Sequence, residues 1–207
     1  MDTYYRIQEE ILDFIKSKDI DRAIAHCEEQ FKLLPKTDYH RALGRDWLHQ
    51  TQAMSDWIGS FYEKASQKIS VRTIYCEMNR FEINTDMWYV DALAYDVFES
   101  MDRMSDWLSD WNESTNSEEP FELTGVEDLQ KLFYRDYCSC DGYFAIGSEE
   151  GMPEDIEASS EAAILLLTLR MQQLIHAATQ LARKAGKLPE DVAVLSTAHE
   201  EDMILRS

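Results

Sequence analysis

Residues 157–185 carry the feature that most narrows what this chain can become. Ile164, Leu167, Met171, Leu174, Ala178 and Leu181 recur in alternating steps of three and four, so they share one stripe of a helix. Leu165, Leu166 and Leu169 widen that stripe at its N-terminal end, which implies burial on most sides early and on one side later. Pro153 before the run and Gly186 after it are the expected punctuation. Arg183 and Lys184 fall in the last turn, where cations favour the negative end of the helix dipole. An apolar rod of this length needs partners to cover it.

The chain upstream offers amphipathic helices. Tyr4, Ile7, Ile11, Phe14 and Ile15 trace one face of a helix over 3–16. Asp19 caps a second helix, 20–34, with Ile20, Ala23, Ile24, Cys27, Phe31 and Leu34 on its stripe and Pro35 as its stop. Within it, the small and aliphatic run Ala23, Ile24 and Ala25, a polar stretch, and then Leu33, Leu34 and Pro35 resemble one half of a tetratricopeptide-type helical repeat. That resemblance is confined to residues 19–35 and implies only helical-hairpin stacking.

A third helix is expected from Thr37 or Asp38 to about Gln67, and a fifth from about residue 85 to Trp111, with Val90, Ala94, Val97, Met101, Met104, Leu108 and Trp111 on one face. Between them, Val71, Ile74, Tyr75, Met78 and Phe81 fit helical spacing, although the richness in Val, Thr, Ile and Tyr also suits a strand. Residues 112–120 read as a loop. Thr124 with Glu127 forms a capping-box pattern that opens a sixth helix, 125–137. A last short helix is expected around Val192–Leu195.

An internal comparison decides the ambiguous segment in favour of helix. At an offset of 50, Ala42, Leu43, Asp46, Met54, Ser55, Asp56 and Trp57 fall on Ala92, Leu93, Asp96, Met104, Ser105, Asp106 and Trp107. Such a period is that of a short helix followed by a long one, which would place residues 70–83 in the slot of the helix 20–34. The expected fold class is therefore all-α: a helical bundle or short stack of helical hairpins, about seven helices in one domain over residues 1–207, with a sub-boundary, if there is one, at 112–120.

Composition narrows the function. Forty acidic against twenty basic side chains leave a formal charge of −20, which would repel nucleic acid phosphates and anionic membranes. Cys27, Cys76, Cys138 and Cys140 are too few and too scattered for a disulfide framework, and Cys138 and Cys140 are expected as buried or half-buried free thiols; no signal segment opens the chain, so a cytoplasmic setting is expected. The longest apolar run, 162–167, is far too short to span a bilayer.

Two sets of residues could carry a function. The repeated cluster supplies Asp56, Trp57, Asp106, Trp107 and Trp111 as anchors for a partner, since aromatic residues dominate interface energetics, and the same pattern also suits core knobs in two equivalent helices. Asp46 with His49, and Asp96 with Glu99, stand three residues apart on the two expected long helices, a spacing by which facing helices bind divalent metal. No phosphate loop or nucleophile elbow is present. The expectation is a non-catalytic, cofactor-free acidic module that docks a basic protein partner. Immunity proteins that block a cationic toxin have this kind of composition. The rival is an all-helical metal-dependent hydrolase using Asp46, His49, Asp96 and Glu99, and a third option is a homodimer formed through the 164–181 stripe.

Overall fold

The computed structural model describes residues 3–109, 115–144, 151–199 and 203–207. Its N-terminal helices follow the local periodicity closely. Helix α1 (Thr3–Lys16) buries Tyr4, Ile7, Ile11 and Ile15, and α2 (Ile20–Lys32) buries Ile20, Ala23, Ile24, Cys27 and Phe31. The Asp19 carboxylate caps α2 by accepting from the Arg22 amide at 3.4 Å. The segment expected as one long third helix divides: a 3₁₀ turn over Asp38–Ala42, another over Leu48–Gln50, and only then α3 (Thr51–Ser66).

Residues 73–78 overturn the all-α expectation. They form strand β1 (Thr73–Met78), which pairs antiparallel with β2 (Tyr89–Tyr95) and parallel with β4 (Ala193–Ala198). Two short strands, β3 (Phe121–Glu122) against β2 and β5 (Leu205–Arg206) against β4, complete a five-stranded sheet in the order β3-β2-β1-β4-β5. The structure is mixed α/β. The expected fifth helix is replaced by β2, a 3₁₀ turn and the five-residue α4 (Met104–Leu108), and the expected short helix near residue 192 is β4. Helix α5 (Glu127–Phe133) runs into one π-helical turn, Tyr134–Cys138.

The offset-50 match is consequently not a structural repeat. Ala42 ends a 3₁₀ turn while Ala92 lies mid-strand in β2, and Trp57 sits in a sixteen-residue helix while Trp107 sits in α4. The matched letters lie in unlike settings, and for the aspartates among them burial supplies no common cause, since Asp56 and Asp106 are both exposed. Ala42 and Ala92 are each wholly buried, in unrelated surroundings.

Helix α6 (Glu154–Lys184) is the centre of the structure. It packs against α1, α2 and α3 on one side and against the sheet on the other, so Leu165, Leu166, Leu167, Leu169, Met171, Leu174, Ile175 and Ala178 have no exposed surface. Of the stripe on which a homodimer through residues 164–181 was argued, Leu167, Met171, Leu174 and Ala178 are wholly buried within the chain, while Ile164 and Leu181 are half-buried. Pro153 and Gly186 bracket it as the sequence reading placed them. The amides of Gly186 and Lys187 return to the carbonyls of Arg183 and Ala182 at 2.9 Å each, a Schellman closure with Gly186 in the left-handed region at φ +69°. Among the described residues no helix is long and apolar enough to cross a membrane.

Strand alternation divides the sheet into two unlike faces. Ile74, Cys76, Met78, Val90, Ala92, Val194 and Leu205 face the helices and join the main core. The opposite face carries Tyr75, Glu77, Tyr89, Asp91, Leu93, Tyr95 and Leu195. One end of it is roofed by a small cluster in which Trp107 of α4 meets the ring of Tyr95 at 5.7 Å and that of Phe98 at 5.9 Å. The other end, around Glu77 and Asp91, borders an open cleft.

Candidate functional site

The connections leaving β1 and β4 create that cleft. These neighbouring strands run parallel, but the chain turns from β1 towards β2 on one side and from β4 towards β5 on the other. Loops that diverge from adjacent carboxyl ends leave a crevice between them, the usual place for a ligand site in an open sheet with parallel strands. Here it measures about 320 Å³ and is lined by Glu77, Asn79 and Arg80 from the end of β1, by Tyr89 and Asp91 from β2, and by His199 just past β4. The His199 amide donates to the Met78 carbonyl at 2.8 Å, which holds the two strand ends together at its base.

Glu77 and Asp91 are register partners across the β1–β2 ladder, both on the outer face. Glu77 Oε1 accepts from the Tyr75 hydroxyl at 3.2 Å and lies 3.3 Å from His199 Nδ1. Asp91 Oδ1 accepts from the Ser117 hydroxyl at 3.2 Å, whose oxygen in turn accepts from the Ala92 amide at 3.0 Å. Burial raises the Asp91 pKa above the ordinary aspartate value, and the Ser117 hydrogen bond offsets this only in part. Burial raises the Tyr75 phenol as well, with the Glu77 charge adding to it, and Tyr95 is pushed up to about 12 by burial and then by Glu77.

The rim is held by the residues themselves. Asn79 donates through Nδ2 to the Met87 carbonyl at 2.9 Å and accepts from the Tyr89 amide at 2.8 Å, clamping the loop between β1 and β2. Arg80 Nε donates to Glu82 Oε1 at 2.6 Å, so its charge is matched within the same loop. Chemically, the crevice offers two adjacent carboxylates on a rigid sheet, with tyrosine and histidine beside them, and suits a group that is cationic and donates hydrogen bonds.

The metal set expected from sequence does not assemble. Asp46 precedes the second 3₁₀ turn, where Oδ1 accepts from the Leu48 amide at 2.9 Å. His49 lies within that turn beside Gly125. Asp96 and Glu99 follow β2, and Glu99 pairs with Arg103 at 3.4 Å. The two long helices meant to present these four side chains do not exist. Among the described residues no three of His, Cys, Asp and Glu stand where they could hold one metal ion.

The expected docking residues are also dispersed. Asp56 is exposed on α3 and paired with Lys187 at 2.6 Å; that hydrogen bond lowers its pKa. Trp57 is half-buried, donates Nε1 to the Glu119 carbonyl at 3.1 Å and lies against Phe61 and Phe121. Asp106 is exposed and bound to Arg103 at 3.0 Å, whereas Trp107 is buried in the cluster on the sheet's outer face. Trp111 lies outside the described residues. A groove of about 580 Å³ runs between α3 and the chain just past α6, by Asp56 and Lys187, but those two charges neutralise each other there.

Glu77, Asp91 and His199, which line the crevice, are not among the residues singled out from the sequence. Both acids fall at the outward positions between the unbroken apolar sets Ile74-Cys76-Met78 and Val90-Ala92-Ala94, the ordinary place for a polar residue in a half-buried strand, so the letters alone do not single them out. Compared with protein-family models, with curated protein sequences and with solved structures, the chain matches none.

Proposed function

We propose that this chain is a non-catalytic acidic module that docks a basic protein partner, and that the crevice between the ends of β1 and β4 receives a cationic side chain of that partner. One observation carries the reading: Glu77 and Asp91 oppose each other directly across two strands. Like charges in that relation cost roughly 0.2–1 kcal/mol, and the burial of Asp91 adds to the cost. A lysine ammonium or arginine guanidinium set between them relieves both terms. The formal charge of −20 would draw such a partner in and speed its encounter at low ionic strength. An inhibitor or immunity-type role against a cationic toxin is the biological setting that this charge suits best.

The test is capture from the native host's lysate on immobilised protein at low salt, comparing the wild type with the double variant Glu77→Gln/Asp91→Asn. The expected result is a basic protein retained by the wild type, released by moderate salt and lost from the variant. Recovery of no basic protein would end the docking reading, and equal capture by the variant would remove the crevice from it.

A further inference from the structure

Seven large apolar side chains are exposed among the described residues, and four of them come from two segments that touch each other. Ile83 (61% exposed) and Met87 (37%) belong to the loop between β1 and β2. Tyr134 (53%) and Phe144 (57%) belong to the π-helical turn after α5 and the chain that follows it. Cys138 joins the segments: its Sγ donates to the Glu82 carbonyl at 3.2 Å and accepts from the Thr85 hydroxyl at 3.6 Å.

This ledge has a rigid backing. Phe144 stacks on Tyr137 with ring centres 5.1 Å apart and planes at 16°, and Tyr137 stacks on buried Phe133 at 5.8 Å. Phe133 in turn meets Trp88 at 5.6 Å, at the base of the same loop that carries Ile83. A ring held as Phe144 is loses little conformational entropy when it is covered, which is what an interface anchor requires. Ile83 also lines the crevice, so the ledge and the carboxylate pair share a border.

Charge defines the occupant. Arg80 is bound to Glu82, and Arg135 is bound to Asp136 at 2.7 Å and to Asp38 at 3.2 Å, so the nearby guanidinium groups are already matched by acids of this chain. Asp86 and Asp141, in the two segments themselves, are exposed. We infer that the ledge is the apolar half of the docking surface, and that it takes an amphipathic basic segment: a cationic side chain in the crevice, with neighbouring aliphatic or aromatic side chains resting on Ile83 and Phe144. The inference rests on the docking reading above and adds the chemistry of the partner's contact segment.

Two peptides of equal length and charge test it, one built from lysine and serine and one from lysine and leucine, each titrated at low salt and followed by anisotropy of a terminal label. The lysine/leucine peptide is expected to bind about tenfold more tightly. Ile83→Ser/Phe144→Ser should reduce that advantage to within about twofold, while Leu33→Ser, which removes an exposed apolar side chain at the end of α2, outside both segments of the ledge, should keep it. Equal binding of both peptides by the wild type, or an equal loss in Leu33→Ser, would overturn the ledge while leaving charge-driven docking in place. Binding of neither peptide would overturn the docking reading together with the ledge. A dimer in sedimentation, broken by Ile83→Ser/Phe144→Ser, would assign the surface to a second copy of this chain and overturn the inference.

Discussion

Arg170 on α6 donates to Glu28 on α2 at 2.8 Å, with the two side chains only 15% and 17% exposed. The same carboxylate accepts from the Gly44 amide at 3.1 Å, so one acid ties together α2, the turn leading towards α3, and the central helix. Burial alone would raise the Glu28 pKa, but the Arg170 hydrogen bond, the Gly44 amide and the nearby cations outweigh it and hold the value below the usual glutamate range. A lowered folded-state pKa means stability that is present above the unfolded value and lost as pH falls through the folded one. Glu28→Gln should therefore cost about 2 kcal/mol at neutral pH, because it leaves the Arg170 cation poorly compensated. Urea unfolding between pH 7 and pH 3 should show this deficit shrinking as the wild type is acidified.

Asp91 has the opposite sign. Its pKa is raised by burial, so its contribution to stability is full below the unfolded aspartate value and declines as pH rises through the folded one. Asp91→Asn keeps an acceptor for Ser117 and removes the charge facing Glu77. It should be more stable than the wild type by about 0.5 kcal/mol at pH 7 and indistinguishable from it at pH 3. Thermal unfolding at the two pH values checks this. A gain in stability coupled to loss of basic-partner binding would mark the residue as one kept for docking.

Gln172 interrupts the apolar girdle of α6 and is wholly buried. Its Nε2 donates to the carbonyls of Ser196 at 2.9 Å and Met203 at 2.7 Å, fastening the helix to β4 and to the approach to β5. Gln172→Leu preserves volume and strips a donor from both carbonyls, of which Met203 keeps the Thr197 hydroxyl at 3.0 Å, so a loss of about 1 kcal/mol is expected. Amide hydrogen exchange should rise at Leu205 and Arg206, on the edge strand, before it rises in β1.

The four thiols divide by burial, and the expectation that Cys138 and Cys140 would be shielded is not met. Cys27 and Cys76 are buried, and desolvation pushes each up to about 12, so neither is a thiolate at neutral pH. Cys138 and Cys140 are exposed. An aromatic disulfide reagent at pH 8 should modify these two in the native protein and reach four only after denaturation, with peptide mapping to assign the sites.

Where the information is local, the chain is readable by itself. Helices α1, α2 and α6 appear close to their expected places, because a 3.6-residue apolar period, an Asp cap and a Pro–Gly bracket all lie within the segment they specify. The acidic charge was equally present in the letters.

Only the tertiary structure could decide the sheet. Ile74, Tyr75 and Met78 satisfy a helical period while Ile74, Cys76 and Met78 satisfy a strand's, so residues 73–78 are degenerate on their own. Their partner β4 lies far along the chain and is buried on both faces, which erases the alternation that would announce a strand. Pairing on both edges, with β2 and with that distant strand, settled the choice, and the β1–β4 pairing alone set His199 beside Glu77.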